Sequence, residues 1–150
     1  MKLRFQENAA KMAVATLVVA AAMTGCAKSY TEPADDRPAM VEQISGSSVK
    51  QITLTEKAKN RLGLQTAAVG EVAVGGQQVK TVPYSSLLYD AAGKTWVYTN
   101  PSGLVFVRQE IKVLRIEKGK VLVSDGPATG SQVVTVAVAE LYGAETGVGK

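Results

Sequence analysis

The chain contains no histidine and a single cysteine among its 150 residues, and aromatic residues make up only 5% of it. The absence of histidine removes the commonest general base, together with every nucleophile arrangement that pairs histidine with serine or cysteine. A lone cysteine excludes an intramolecular disulfide and a paired-thiol redox site. We therefore predict that the protein is not an enzyme and that it uses no cofactor or metal.

The first 25 residues have the pattern of an export signal. Lys2, Arg4 and Lys11 precede an apolar run, residues 12–23, that ends at small residues before Cys26. The run is about a dozen residues long, whereas a helix needs roughly 20 to cross a bilayer core, so a permanent membrane span is not expected. Residues 23–26, Met-Thr-Gly-Cys, resemble the lipobox of bacterial lipoproteins.

The lipobox resemblance implies that Cys26 is acylated and becomes the first residue of an exported protein held on a bacterial membrane, with the inner and outer membranes both open. Stable anchoring requires two or more acyl chains. The alternative is an ordinary cleaved signal followed by an incidental cysteine.

Residues 26–50 are polar and interrupted by Pro33, Pro38 and Gly46, a composition that predicts a flexible tether. Without residues 1–25 the net charge falls from +4 to +2, because three cations and one carboxylate are lost. No basic cluster with interleaved aromatic residues remains, so nucleic-acid binding is not expected. The predicted organisation is a signal over residues 1–25, a tether over 26–50, a β-domain over 51–145 and a flexible tail over 146–150.

The β-domain is predicted to begin with a short strand, residues 51–54, and a brief helix, residues 56–62. Thr55 can cap the first turn of this helix, and Gly63 can end it in a left-handed conformation. Short runs rich in valine, threonine and aromatic residues follow, separated by turns that contain glycine, proline, asparagine or aspartate. These runs are residues 64–69, 71–74, 79–82, 86–89, 95–99, 104–109, 111–116, 120–123 and 132–139. The expected fold is mainly β, a small barrel or sandwich.

Charged and aromatic residues of this domain are first interpreted as structural. The carboxylates lie mainly at turns or strand ends, where a solvated role is expected; they are Glu71, Asp90, Glu110, Glu117, Asp125, Glu140 and Glu145. Trp96, Tyr98 and Phe106 lie inside predicted strands, where large side chains are favoured, and are expected in the core.

The order of several segments resembles the periplasmic adaptor subunits, or membrane fusion proteins, of RND-type efflux pumps. The segments are residues 52–55, 61–66, 82–90, 93–98, 126–134 and 139–145. The resemblance covers residues 50–149 and involves two separated pieces of an adaptor, the strand that opens the mature protein and the membrane-proximal β-domain. It implies docking on a membrane transporter.

The chain departs from a full adaptor at Gly75-Gly76-Gln77-Gln78, which joins Val74 directly to Val79. A full adaptor inserts a lipoyl-like domain, a helical hairpin and a β-barrel at this point, so a tunnel-building role is not expected here. We predict an accessory protein that binds an RND transporter or a full-length adaptor. The candidate docking surface comprises Tyr84, Tyr89, Asn100, Arg108, Gly126 and Gly130.

Two other functions remain open at this point. A structural or vestigial envelope lipoprotein would have no partner. A lipoprotein that binds a small hydrophobic ligand inside a β-barrel would contain an apolar cavity, and ligand binding would quench Trp96 fluorescence.

Overall fold

The computed structural model describes residues 37–147, and this part of the chain is mainly β, as the sequence predicts. The predicted signal, the lipidation residue Cys26 and the first part of the predicted tether lie outside the described residues. Within the described part, eleven strands form two open antiparallel sheets. The barrel alternative is wrong, because neither sheet closes on itself.

The first sheet has β1 (Ala39–Gln43) at one edge and β3 (Gln65–Ala68) at the other. Between them lie, in spatial order, β2 (Lys50–Leu54), β8 (Val105–Glu110), β7 (Thr95–Ser102) and β11 (Gln132–Val136), while β6 (Leu88–Tyr89) pairs with β7. The second sheet has the order β4 (Gly70–Val74), β5 (Gln77–Pro83), β10 (Lys120–Asp125) and β9 (Lys112–Glu117). Its edge strands are therefore β4 and β9.

Both faces of the first sheet are covered. Successive side chains of a strand point in opposite directions, so neighbouring residues of one strand pack against different layers. Val97 and Val133 belong to an apolar cluster that includes Val82 and Val121 of the second sheet. The next residues along the chain, Tyr98 and Val134, belong to a separate cluster with residues of the two helices. The fold thus has three layers, with the first sheet between the helices and the second sheet. Trp96, Tyr98 and Phe106 are buried, as predicted.

The first helix, α1 (Glu56–Leu62), has the predicted ends. The Thr55 hydroxyl oxygen accepts a hydrogen bond from the backbone N–H of Ala58 at 3.1 Å. Gly63 ends the helix at φ +58°, in the left-handed conformation that favours glycine. Gly75 and Gly76 likewise have positive φ and form the tight turn between β4 and β5, so the short segment that joins Val74 to Val79 is the turn of a β-hairpin.

The tether prediction is wrong for residues 39–43, which form β1. This strand pairs with β2 over its whole length, and Val41 packs against the cluster between the first sheet and the helices. The carbonyl of Pro38 also accepts a hydrogen bond from the backbone N–H of Thr55 at 3.1 Å. Apolar burial and strand pairing therefore order a segment whose composition predicts flexibility.

The strand predicted over residues 132–139 ends at Val136, and a second helix, α2 (Val138–Thr146), follows it. The predicted tail therefore begins within a helix at residue 146. Leu141 is buried in the cluster between the first sheet and the helices, and Val138 and Tyr142 pack against that cluster. Tertiary packing of this apolar side overrides the weak helix propensity of a glycine-containing segment. Neither helix of the described part is long and apolar enough to span a membrane.

Candidate functional site

A buried carboxylate holds α2 against the first sheet. The side chain of Glu145 is only 3% exposed. Its Oε1 accepts one hydrogen bond from Arg108 Nε and forms an ion pair with Arg108 Nη2, each at 3.2 Å. Glu145 Oε2 accepts from the Tyr98 hydroxyl at 2.5 Å, and the Lys50 ammonium donates to the Glu145 carbonyl at 2.9 Å. The prediction that Glu145 is solvated is therefore wrong.

Arg108 is enclosed by aromatic rings as well as by the carboxylate. Its guanidinium carbon lies 4.2 Å from the centroid of the Trp96 ring and 5.6 Å from that of Tyr142, distances at which cation–π attraction contributes. The side chain is 12% exposed. Arg108 is therefore largely buried, although it belongs to the candidate docking surface predicted from the sequence.

Asp90 extends this cluster toward the surface. Its Oδ2 accepts from Trp96 Nε1 at 2.9 Å, and its Oδ1 accepts from the backbone N–H groups of Ala92 and Lys94 at the same distance. Burial raises the pKa of Asp90, but these hydrogen bonds and the charge of Arg108 outweigh it, so the pKa lies below its ordinary value. Asp90 is therefore expected to stay ionised beside Arg108.

The pKa of Tyr98 is shifted in the opposite direction, upward. Burial raises the pKa of the Tyr98 hydroxyl, and its hydrogen bond to the Glu145 carboxylate raises it further. No buried side-chain nitrogen or oxygen of the described residues lacks a hydrogen-bond partner. The Arg108–Glu145 cluster therefore fixes α2 in place through polar groups that are paired with one another.

The two tyrosines of the predicted docking surface are exposed at different places. Tyr84 begins a 3₁₀ turn, Tyr84–Ser86, and its backbone N–H donates to the carbonyl of Gly119 at 2.9 Å. It therefore lies next to the turn between β9 and β10. Tyr89 ends β6, where it pairs with Thr95 of β7 in the first sheet.

The structure brings two other predicted residues together. Asn100 and Gly130 line one cleft of about 390 Å³, formed by residues 99–101, residues 130–132 and Gln109. The Asn100 side-chain nitrogen donates to the carbonyls of Gly103 and Val105, at 3.1 and 2.7 Å, and so fixes the turn beside the cleft. The cleft is lined by amide and hydroxyl groups and carries no charged side chain.

Gly126 has a packing role instead. A Cβ atom at this position would lie 3.0 Å from Cγ2 of Ile111, which is buried between the sheets. The Gly126 carbonyl also accepts a hydrogen bond from the Lys80 ammonium at 2.9 Å. The absence of a side chain at Gly126 therefore lets the backbone pack closely against Ile111, whereas Gly130 lines the cleft.

A second hollow, which the sequence interpretation missed, lies where α1 and α2 meet β1. This helix groove has a volume of about 440 Å³ and is lined mainly by apolar side chains, including Leu54, Leu62 and Leu141, with Arg61 and Glu140 as its charged members. It was missed because α2 was not predicted. Among residues 37–147, no group of three or more carboxylate, cysteine or histidine side chains is placed to hold a metal ion.

No family model matches the chain, and neither a curated protein nor a solved structure matches it. The likeness to efflux adaptors, the lipid anchor and the transporter partner therefore stay predictions.

Proposed function

We propose that the protein is an exported, lipid-anchored, non-catalytic accessory protein that binds an RND transporter or its full-length adaptor through the cleft of Asn100 and Gly130. The observation that carries the proposal is that these two residues, far apart in the sequence, line one neutral polar cleft. Polar clefts of this kind provide directed hydrogen bonds at protein interfaces. The identity of the partner comes from the adaptor resemblance alone.

The chemistry of the cleft suits recognition of a partner's backbone. Gln109 and Gln132 are exposed and present amide donors and acceptors, while Gly130 leaves its part of the lining without a side chain. The adjacent turn is fixed by the hydrogen bonds of Asn100, so the cleft does not have to be ordered on binding. Anchoring through Cys26 would raise the local concentration of this cleft at any partner in the same membrane.

The test is photocrosslinking in cells, with a benzophenone amino acid introduced at Gln132. The matched control carries the same group at Asn60, an exposed residue of α1 that does not line the cleft. We expect adducts with a transporter or an adaptor from position 132 only, and loss of these adducts when Cys26 is replaced by serine. Equal adducts from both positions, or none from position 132, would contradict the proposal.

The helix groove favours a second candidate function, the binding of a small hydrophobic ligand. Its volume of about 440 Å³ lies in the range of small-molecule sites, and its lining is largely apolar. The test is saturable fluorescence of N-phenyl-1-naphthylamine. Ala144→Phe, which fills the groove, should abolish the signal, whereas Ala139→Phe on the exposed side of α2 should preserve it. Equal signals from both variants would exclude this function.

A further inference from the structure

One corner of the second sheet combines exposed apolar side chains with cations. It consists of Leu114 and Ile116 of the edge strand β9, the turn formed by Lys118 and Gly119, Lys120 of β10, and Tyr84, and we refer to it as the β9 corner. Leu114, Ile116 and Tyr84 are 57%, 45% and 53% exposed. Clustered exposure of large apolar residues marks a surface that contacts something other than water.

The geometry of β9 explains why these residues are exposed. Ile116 pairs with Val121, which is fully buried between the sheets, but Ile116 itself lies on the outer strand. The register shifts between the pairs Val123↔Val113 and Leu122↔Arg115, so that Leu114 has no partner on β10. This bulge disfavours the addition of another strand at the edge, because it interrupts the row of backbone donors and acceptors.

The charge of the corner is mainly positive. Residues 112–120 contain four cations and one carboxylate, Glu117, which forms an ion pair with Arg115 at 3.2 Å. Lys118 and Gly119 both have positive φ, of 48° and 75°, in the tight turn that joins β9 to β10. The carbonyl of Gly119 accepts the hydrogen bond from Tyr84, so the aromatic residue and the lysines belong to one fixed unit.

A hollow of about 280 Å³ adjoins this unit. It is lined by Lys118, Gly119 and Lys120 on one side and by Gly70, Thr81 and Pro83 among the residues opposite them. Two lysine residues and Thr81 are thus among the residues that line this hollow. The hollow thus adjoins the turn that carries the two lysines, while Leu114 and Ile116 lie on the neighbouring strand β9.

We infer that the β9 corner binds the surface of a membrane that contains anionic phospholipids. Leu114 and Ile116 enter the boundary between head groups and acyl chains, Tyr84 lies at the polar interface where tyrosine is favoured, and Lys118 and Lys120 contact head-group phosphates. Charge complementarity between the cations and anionic lipids determines this choice of partner, and the bulge in β9 argues against a protein strand. The inference requires no transporter, so it stands or falls separately from the proposed docking function.

The test uses environment-sensitive fluorescence of the full chain. Cys26 is the only cysteine, so a Cys26→Ser chain can carry a single bimane label at Ile116→Cys. The matched control carries the label at Val72→Cys, an exposed apolar residue of β4 on the opposite edge of the same sheet. Both chains share residues 1–36, so any membrane binding by that segment is common to them.

Each labelled chain is mixed with phosphatidylcholine vesicles that contain or lack phosphatidylglycerol. We expect a blue shift and protection from iodide quenching only for the label at position 116 and only with the anionic vesicles. No change at position 116, or the same change in neutral vesicles or at position 72, would overturn the inference. A shift at position 116 that depends on protein concentration without vesicles would indicate pairing of two copies and would also overturn it.

Charge variants of the same labelled chain provide a second measurement. Each cation removed from the corner should weaken binding to the anionic vesicles about five-fold, so Lys118→Gln with Lys120→Gln should weaken it by roughly 25-fold. The control Lys57→Gln with Lys59→Gln removes the same charge from α1, at residues that line neither the β9 corner nor the helix groove, and should leave the affinity nearly unchanged. Equal losses from the two pairs of substitutions would show that net charge, not the β9 corner, determines binding.

Discussion

Replacement of Glu145 by glutamine tests the buried cluster that attaches α2 to the first sheet. The substitution removes the negative charge that faces Arg108 Nε and Nη2 at 3.2 Å, while the shape of the side chain is retained. Arg108 is then left with its charge beside the rings of Trp96 and Tyr142, in a place with little access to water. An unpaired charge in such surroundings is strongly unfavourable.

The expected loss in the free energy of unfolding depends on which interactions of Glu145 the glutamine can still make. Loss of one member of a buried ion pair costs about 3–5 kcal/mol. The glutamine amide oxygen still accepts from the Tyr98 hydroxyl, and Asp90 Oδ2 lies 4.0 Å from Arg108 Nη1, so we expect a loss of about 3 kcal/mol. Glu145→Ala also removes the acceptor for Tyr98 and should cost about 4–5 kcal/mol, a large share of the stability of a small domain.

The assay is urea unfolding followed by the fluorescence of Trp96, the only tryptophan in the chain. Glu110→Gln is the matched control, because it breaks the ion pair with Lys94, which has a length of 3.0 Å but lies at the surface. Exposed pairs contribute about 0–1 kcal/mol, so the control should unfold almost as the unsubstituted protein does. A loss below about 1 kcal/mol for Glu145→Gln, or equal losses for both variants, would refute the assignment of Glu145 as the buried attachment of α2.

Further predictions concern Tyr98, two glycines and Thr55. Because the pKa of Tyr98 is raised, the unfolded state loses this proton at lower pH than the folded state, so the free energy of unfolding should fall above about pH 10. Tyr98→Phe should make this fall with pH less steep. The same steepness in both proteins, measured by urea unfolding at several pH values, would contradict this. Gly126→Ala should lower the free energy of unfolding by about 1–3 kcal/mol through contact with Ile111. Gly143→Ala, in α2 with open space around it, should raise the free energy of unfolding by about 0.5–1 kcal/mol. If thermal melts show that Gly126→Ala and Gly143→Ala change stability in the same direction, the different surroundings of these two glycines are contradicted. Thr55→Ala should cost about 1 kcal/mol, whereas Thr55→Ser should retain the cap; equal losses in urea titrations would exclude a capping role.

Features that depend on a few neighbouring residues are predictable from this sequence. Thr55 and Gly63 define both ends of α1 because the cap and the left-handed terminus each require particular residue types. Gly75 and Gly76 define the hairpin between β4 and β5 for the same reason. Strands β2 to β11 are recognised from short runs of β-branched and aromatic residues, with errors mainly at their ends, whereas β1 is missed.

Features that depend on distant parts of the chain are not predictable in this way. Residues 138–146 have a local pattern that fits either a strand end or a flexible segment, and their helix is stabilised by burial of Leu141 and by the contact of Glu145 with Arg108, 37 positions away. The spacing of Val138, Leu141 and Glu145 by three and four residues is the only local signal for this helix. The same distant contact explains why Glu145 is buried although its sequence neighbours predict exposure.

The layered fold also determines where this protein can bind a partner. Both faces of the first sheet are covered in its central part, by the helices on one side and the second sheet on the other, so side chains there can be enclosed on either face. Arg108, within β8, is enclosed in this way, whereas Asn100 lies where the pairing of β7 with β8 is interrupted and Gly130 precedes β11, and both line an open cleft. Strand ends, turns and edge strands are therefore the surfaces on which binding residues should be sought, and Tyr84 and β9 belong to the same category.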